Sequence, residues 1–215
     1  MGMIRARHIP ALVLFLCLAV MQVACTGYTI RPPESVADPV GIYIVDYGDT
    51  SRLWLPEDRG GYTEWGYGDW RWYANDKTNL LYGVVVLTWP TSATLGRHER
   101  DTGPWGADGV LLADLAGYAQ LVHEIDVERP KMEALRTELN ERYESQRSTE
   151  IFNERRQMSF VKDDSSYWIG HQSTTVMAGW TRKLGCKASG YSLRSNYRLK
   201  PPGRTIKLDT KIAND

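Results

Sequence analysis

The sequence has few cysteines, no excess of charge and no apolar stretch long enough to cross a membrane. Basic and acidic residues number 26 each, which argues against the strong positive potential with which proteins attract nucleic acids. The longest apolar run extends over residues 9–20, whereas a helix needs about 20 apolar residues to span a bilayer. The composition therefore excludes a permanent membrane-spanning helix in that run and predicts no nucleic-acid partner.

The N-terminal residues have the three-part layout of a secretory signal peptide. Arg5 and Arg7 precede the apolar run, and short residues lead from it to Cys25. The segment Val20-Met21-Gln22-Val23-Ala24-Cys25 resembles a lipobox, although Gln22 stands where leucine is usual. We therefore predict that residues 1–24 are removed and that Cys25 is acylated. The alternative is an ordinary secretory signal cleaved near Ala24, which would leave Cys25 as a free thiol.

Acylation would make the mature protein a peripheral membrane protein, because two or more acyl chains suffice for stable anchoring. Thr26, rather than aspartate, follows the cysteine. This pattern resembles lipoproteins that diderm bacteria export to the outer membrane. We predict an outer-membrane lipoprotein that faces the periplasm, with the inner membrane or the cell surface as alternatives.

The mature chain is expected to hold one domain without disulfides. Cys17 leaves with the signal and Cys25 is acylated, so Cys186 is the single remaining thiol. The 191 residues that follow the signal suffice for one core. Prolines predict a tether over 25–39, a globular domain is expected over 40–200, and the basic, proline-bearing residues 201–215 predict a partly disordered tail.

Hydrophobic periodicity predicts an α+β domain in which a small antiparallel sheet packs with helices. Alternating or β-branched residues predict strands over 42–45, 53–55, 62–67, 121–127 and 160–161. Helical spacing predicts helices over 80–87, 130–143 and 173–184. Glycine and charged residues over 96–109 predict an exposed loop.

Several segments resemble a family of uncharacterised bacterial secreted proteins and lipoproteins noted near urease operons. The resemblance covers about 150 residues and is carried by residues 42–55, by Glu64-Trp65-Gly66-Tyr67-Gly68-Asp69 with Trp72-Tyr73, and by Trp89-Pro90-Thr91-Ser92. It implies a circularly permuted papain-like (NlpC-like or LRAT-like) fold. In that superfamily an early strand carries a histidine and a later helix begins with a nucleophilic cysteine, whose pKa the helix N-terminus lowers.

Both catalytic residues of that superfamily are missing at the matching positions. Residues 46–50 contain no histidine, and His171-Gln172-Ser173 stands where the helix should begin with cysteine. Ser173 could replace the nucleophile with His171 or Asp49 nearby, but a serine at a helix start is usually an N-cap. Cys186 follows a helix C-terminus, where the dipole disfavours a thiolate. Catalysis is therefore the less favoured interpretation.

The sequence has 8 tryptophans and 12 tyrosines but three phenylalanines. Tryptophan and tyrosine suit a cleft that is partly exposed to solvent, because each ring has a polar edge. The predicted ligand-binding residues are Asp49, Glu64, Trp65, Asp69, Trp70 and Trp72. Carboxylates beside stacked rings would suit a sugar or peptide of the cell wall. No ligand spacing among His98, His123, Asp101 and Asp108 indicates a metal, and no cofactor is predicted.

The sequence thus predicts a membrane-anchored envelope lipoprotein with a non-catalytic papain-like domain that binds a ligand or acts as a scaffold. One alternative is a cell-wall amidase or peptidase, or a lipid acyltransferase, that uses Ser173 or Cys186. The other is a structural protein whose aromatic surface binds an envelope protein.

Overall fold

The computed structural model describes residues 27–77, 79–106, 108–112, 115 and 118–208. The strands are β1 Gly27–Arg31, β2 Pro39–Asp46, β3 Ser51–Pro56, β4 Tyr62–Asp69, β5 Thr91–Arg100, β6 Leu121–Glu128, β7 Ile151–Asn153, β8 Met158–Tyr167, β9 Lys187–Tyr191, β10 Tyr197–Leu199 and β11 Arg204–Lys207. The helices are α1 Leu80–Thr88, α2 Arg129–Ser145 and α3 Ser173–Lys183, with a π-helical turn over Trp70–Ala74 and a 3₁₀ turn over Arg147–Thr149.

Eight strands form one antiparallel sheet in the order β11-β6-β2-β3-β4-β5-β8-β7. The first hairpins follow from the turn residues between them, because Gly48, Gly60 and Gly61 have positive φ values of 87°, 90° and 78°. A second sheet of three strands has the order β10-β1-β9, in which β1 runs antiparallel to β9 and parallel to β10.

The predicted fold class, a small antiparallel sheet packed with helices in a permuted papain-like arrangement, is wrong. Strands account for 43% of the chain and helices for 25%, so the fold is mostly β. Residues 96–100, predicted to begin an exposed loop, belong to β5 and pair with β4 on one side, while residues up to 97 also pair with β8 on the other. The loop prediction failed because four consecutive polar or charged side chains, those of Arg97, His98, Glu99 and Arg100, interrupt the alternation by which a strand is recognised in a sequence.

The main core lies between one face of the large sheet and helices α2 and α3. The sheet contributes alternate residues of its strands, including Ile42, Ile44, Leu53, Trp65 and Leu95. Helix α2 contributes Met132, Leu135, Leu139 and Tyr143, which recur at intervals of three and four residues, and α3 contributes Val176, Met177 and Trp180. The helices therefore cover this face, which we call the helical face.

The opposite face of the large sheet, here the cleft face, is covered by short segments instead of long helices. Residues Leu115 and Ala119 pack on Val45, Trp54 and Val122. Farther along the sheet, Ala74 of the π-helical turn packs on Met158 and Phe160. The surface between these two small clusters is open, and the candidate site lies there.

Strands near both ends of the described chain also belong to the folded domain. Residues 27–31 lie within the predicted tether, yet they form β1, in which Tyr28 and Ile30 are buried. Residues 204–207 lie within the predicted tail, yet they form β11 at the edge of the large sheet. In the described part of the chain, no helix is both long and apolar enough to cross a bilayer.

Candidate functional site

A cleft of about 890 Å³ opens on the cleft face of the large sheet. Four arginines line it, Arg52, Arg100, Arg155 and Arg156, together with the carboxylates of Asp49 and Glu154. The remaining side chains include four aromatic rings, those of Tyr47, Trp72, Tyr73 and Tyr118. We call this site the arginine cleft.

The floor of the arginine cleft is organised by one buried carboxylate, that of Glu64. Its side chain is 0% exposed, and Oε1 accepts hydrogen bonds from Arg52 Nη1 at 2.9 Å and from the Tyr47 hydroxyl at 2.8 Å. Oε2 accepts from Arg100 Nε at 2.9 Å. Burial alone would raise the pKa of Glu64, but the two guanidinium groups and the Tyr47 hydroxyl outweigh it and lower that pKa. Glu64 is therefore an anion that holds two arginines, and the trio keeps a net positive charge.

The order of the strands explains why these three residues meet. Arg52 lies on β3, Glu64 on β4 and Arg100 on β5, and these strands are consecutive in the sheet. Each side chain points to the cleft face because its neighbours in sequence, such as Leu53 and Trp65, point to the helical face. The period-2 alternation of the strands thus places a charged cluster opposite the apolar core.

Aromatic rings stack against the guanidinium groups of three arginines. The guanidinium carbon of Arg52 lies 4.7 Å from the Tyr47 ring centre, that of Arg100 lies 4.6 Å from the Trp54 ring centre, and that of Arg156 lies 4.6 Å from the Tyr73 ring centre. Such stacking covers one face of each guanidinium group and restricts the rotamers of the side chain. The three guanidinium groups are therefore held in fixed orientations.

Arg156 has unused hydrogen-bonding capacity. Its Nε is buried and lacks a hydrogen-bond partner among the described residues, with Asp76 Oδ1 3.6 Å away. Burial lowers the pKa of the Arg156 side chain. The backbone oxygen of Arg156 accepts a bond from Arg52 Nη2 at 3.1 Å, which fixes this turn against the sheet. Its neighbour Arg155 is 72% exposed and lies at the rim.

The structure separates the six predicted ligand-binding residues. Asp49 and Trp72 line the arginine cleft, and Glu64 lies beneath its floor. Trp65 lies on the helical face, fully buried and edge-on to Tyr143. Asp69 caps the π-helical turn through Trp72 N at 2.8 Å, and Trp70 packs beside the Met158 and Phe160 cluster. The last three therefore have packing or capping contacts.

The arginines and three of the rings, Tyr47, Tyr73 and Tyr118, were missed in the sequence. A signal was present for Arg52, since the alternation Arg52-Leu53-Trp54-Leu55 places it opposite a buried leucine. No comparable signal exists for Arg155 and Arg156, because they lie in the turn between β7 and β8. Their approach to β3 depends on strand pairing that local patterns do not specify.

His171 and Ser173 do not form the pair that a hydrolase would need. His171 Nδ1 lies 3.0 Å from the Tyr67 hydroxyl and 2.9 Å from the backbone oxygen of Ser166. Ser173 lies beside Tyr167, and no hydrogen bond joins His171 to Ser173 in the described residues. The predicted N-cap role of Ser173 is wrong, since Gln172 is the N-cap of α3 and forms a capping box with Thr175.

Cys186 is a buried thiol whose reactivity as a nucleophile is low. Burial raises its pKa to about 11, although Lys131 acts in the opposite direction. A thiolate, the nucleophilic form, is therefore scarce at neutral pH. Cys25, the predicted acylation site, lies outside the described residues.

Within the described ranges, no group of three or more histidine, cysteine or acidic side chains could hold a metal ion. His98 Nδ1 contacts the backbone oxygen of Gln157. His123 Nδ1 lies 2.8 Å from Thr205 Oγ1 and is buried between β6 and β11. These two histidines therefore have contacts that belong to the fold.

Comparisons with known proteins found no family model, no curated protein and no solved structure that matches this chain.

Proposed function

We propose that this chain is an exported lipoprotein, anchored to the outer membrane through Cys25 and facing the periplasm, whose β-rich domain binds peptide fragments of the cell wall in the arginine cleft. The observation that carries the proposal is the meeting of four arginines and four aromatic rings in one cleft of about 890 Å³. This volume is within the range of small-molecule binding sites.

The arginines suit the carboxylates of a cell-wall stem peptide. A guanidinium group forms two parallel hydrogen bonds with a carboxylate, and such charge-assisted bonds are stronger than neutral ones. The cleft is lined by four guanidinium groups and by the carboxylates of Asp49 and Glu154, with the buried Glu64 beneath. Arg155, which is 72% exposed at the rim, gives an anionic ligand an accessible guanidinium group.

The aromatic rings suit the sugar portion of the same fragments. Trp72, Tyr73 and Tyr118 line the cleft, and Tyr118 is 75% exposed. Faces of sugar rings are apolar and pack on aromatic faces, while the polar edges of these side chains stay available for hydrogen bonds. Arginines and rings together favour a ligand that has both carboxylates and sugars.

The geometry favours binding over catalysis. A hydrolase needs a nucleophile and a base within hydrogen-bonding distance in one pocket. Ser173 and Cys186 are outside the arginine cleft, and Cys186 has a raised pKa. The cleft therefore supports recognition without bond cleavage.

Calorimetric titration with purified disaccharide-peptide fragments tests this proposal. We expect saturable binding by the full mature chain, weakened about tenfold or more by R155Q or R156Q, because a hydrogen bond to a charged group contributes about 1.5–3 kcal/mol. Fragments whose carboxylates are amidated should lose affinity to a similar degree. R198Q is the matched control, since Arg198 is an exposed arginine of β10, away from the cleft.

Absence of binding to the unmodified chain, or equal affinities of R155Q, R156Q and R198Q, would refute ligand binding in the cleft. Mass spectrometry of the protein purified from membranes tests the anchor separately, because acylation changes the mass of the N-terminal peptide that begins at Cys25.

A further inference from the structure

Two tryptophans and a valine are exposed where apolar side chains would usually be covered. Trp89 is 73% exposed, Trp168 is 43% exposed and Val85 is 44% exposed. Val85 and Trp89 are one helical turn apart at the C-terminus of α1, where Trp89 N donates to the backbone oxygen of Val85 at 2.8 Å. Exposed apolar groups that lie together mark surfaces that contact a partner or a membrane.

Strand pairing places both tryptophans at one end of the large sheet. β5 begins at Thr91 and β8 ends at Tyr167, and these two residues pair with each other. Trp89 lies two residues before Thr91, and Trp168 immediately follows Tyr167. We call Val85, Trp89 and Trp168 the apolar end.

The first strand begins beside this end. Gly27 pairs with Tyr191, whose hydroxyl donates to the backbone oxygen of Ile169 at 2.7 Å. Ile169 directly follows Trp168. Cys25 is two positions before Gly27 in the sequence, and two residues of extended chain span at most about 7 Å. Acyl chains on Cys25 would enter a bilayer close to the exposed tryptophans.

We propose that the apolar end docks against the bilayer into which the acyl chains of Cys25 insert, with Trp89 and Trp168 at the level of the lipid headgroups. This inference rests on the proposed acylation of Cys25. The short chain between Cys25 and β1 argues for the membrane as the occupant, because it leaves no room for a second protein between lipid and domain. Tryptophan suits this position, since its ring is enriched at membrane interfaces.

The charges around the apolar end are compatible with a bilayer that contains anionic lipids. The segments that meet there, residues 85–91, 168–171 and 192–196, contain no aspartate or glutamate, and they include the exposed Arg194. An anionic headgroup layer attracts basic residues and repels acidic ones. The apolar end can therefore approach such a layer without repulsion from acidic residues of these segments.

Docking at this end would orient the arginine cleft. Tyr197 directly follows the segment 192–196, and its hydroxyl accepts a hydrogen bond at 3.2 Å from the hydroxyl of Ser51, the first residue of β3. The turn that follows Asp46 contributes Tyr47, Asp49 and Thr50 to the cleft. The cleft would thus be held beside the membrane surface, open toward the periplasm.

Brominated lipids test the docking, because bromine quenches only tryptophans that reach the bilayer. The lipidated full-length protein would be purified from membranes and inserted into vesicles of phosphatidylethanolamine and phosphatidylglycerol, with or without bromine on the acyl chains. We expect bromine to remove the emission of two of the eight tryptophans. The double variant W89S/W168S should lose this quenching. F152S is the matched control, since Phe152 is 58% exposed on the edge strand β7.

Each result has a defined meaning. If mass spectrometry shows acylated Cys25 but bromine quenches no emission, the docking is refuted while the anchor stands. If Cys25 is unmodified, the anchor is refuted, and flotation of the protein with the same vesicles then tests the docking. Flotation that W89S/W168S abolishes supports the docking, and absence of flotation refutes the docking. If the unlipidated C25S chain dimerises in ultracentrifugation and W89S/W168S abolishes the dimer, a second copy covers this end and the docking is refuted.

Discussion

Glu64 illustrates how a residue that looks like a ligand-binding carboxylate can have a different task. The sequence predicted that Glu64 contacts a ligand, whereas its side chain is fully buried among Arg52, Arg100 and Tyr47. The cleft above it is lined by four arginines and by the carboxylates of Asp49 and Glu154. Glu64 therefore orients arginines of the cleft and does not line it.

Replacement of Glu64 by glutamine should destabilise the protein strongly. E64Q keeps the shape of the side chain but removes the buried anion to which Arg52 and Arg100 donate. Breaking a buried ion pair in this way costs about 3–5 kcal/mol, which denaturant unfolding would measure. The control is E99Q, because Glu99 is 77% exposed and lies 3.8 Å from Arg97, where a surface pair contributes about 0–1 kcal/mol. A loss for E64Q as small as that for E99Q would contradict the assigned role of Glu64.

At the scale of elements, β5 is the strand that differs most from the sequence prediction, which placed an exposed loop from residue 96 onward. Its second half is charged, yet residues 93–100 all pair with β4. Gly96, which suggested a loop, is instead needed for packing, because a Cβ there would lie 2.5 Å from Met158 Sδ and 2.6 Å from Phe160 Cε1. The glycine thus permits the close approach of β8 side chains over the sheet.

Two glycine-to-alanine variants should have opposite effects on stability. G96A should lower the free energy of unfolding by about 1–3 kcal/mol, because it forces the side chains of Met158 and Phe160 to move. G179A in α3 should raise it by about 0.4–1 kcal/mol, since a Cβ at Gly179 meets nothing within 4 Å. Thermal and denaturant unfolding of the two variants would measure both changes. A neutral G96A would show that the packing over β5 adjusts freely.

At the scale of the whole molecule, one buried histidine connects stability to pH. Burial lowers the pKa of His123 to about 4, against an ordinary value of about 6.5 in the unfolded chain. Between these values the unfolded chain binds a proton that the folded protein excludes. The free energy of unfolding therefore falls as the pH falls from about 6.5 toward 4.

We expect His123 to contribute a loss of about 2 kcal/mol of stability between pH 7 and pH 5. H123F should be less stable at neutral pH, because Thr205 loses its hydrogen-bond partner, but its stability should vary less with pH over this interval. Denaturant unfolding of both proteins at several pH values measures the two slopes. Equal slopes would show that His123 does not titrate in this range. His98 and His171 are present in both proteins, so they do not affect the comparison.

The sequence by itself determined the local elements whose side chains repeat regularly. The spacing of Met132, Leu135 and Leu139 predicted α2, and alternation predicted β2 and β6. These predictions succeeded because a helix or strand with one buried face imposes its own period on the chain. The signal peptide, the acylation of Cys25 and the membrane location remain predictions from the sequence.

Tertiary structure decided which strands pair and hence what the site is. β1 lies between β9 and β10, and β11 lies beside β6, although each partner is distant in the chain. The arginine cleft likewise combines side chains of β3, β5 and the turn before β8. Alternation states which side of a strand is buried but contains no information about the neighbouring strand. The pairing, and with it the meeting of the four arginines, is settled by the packing of the whole domain.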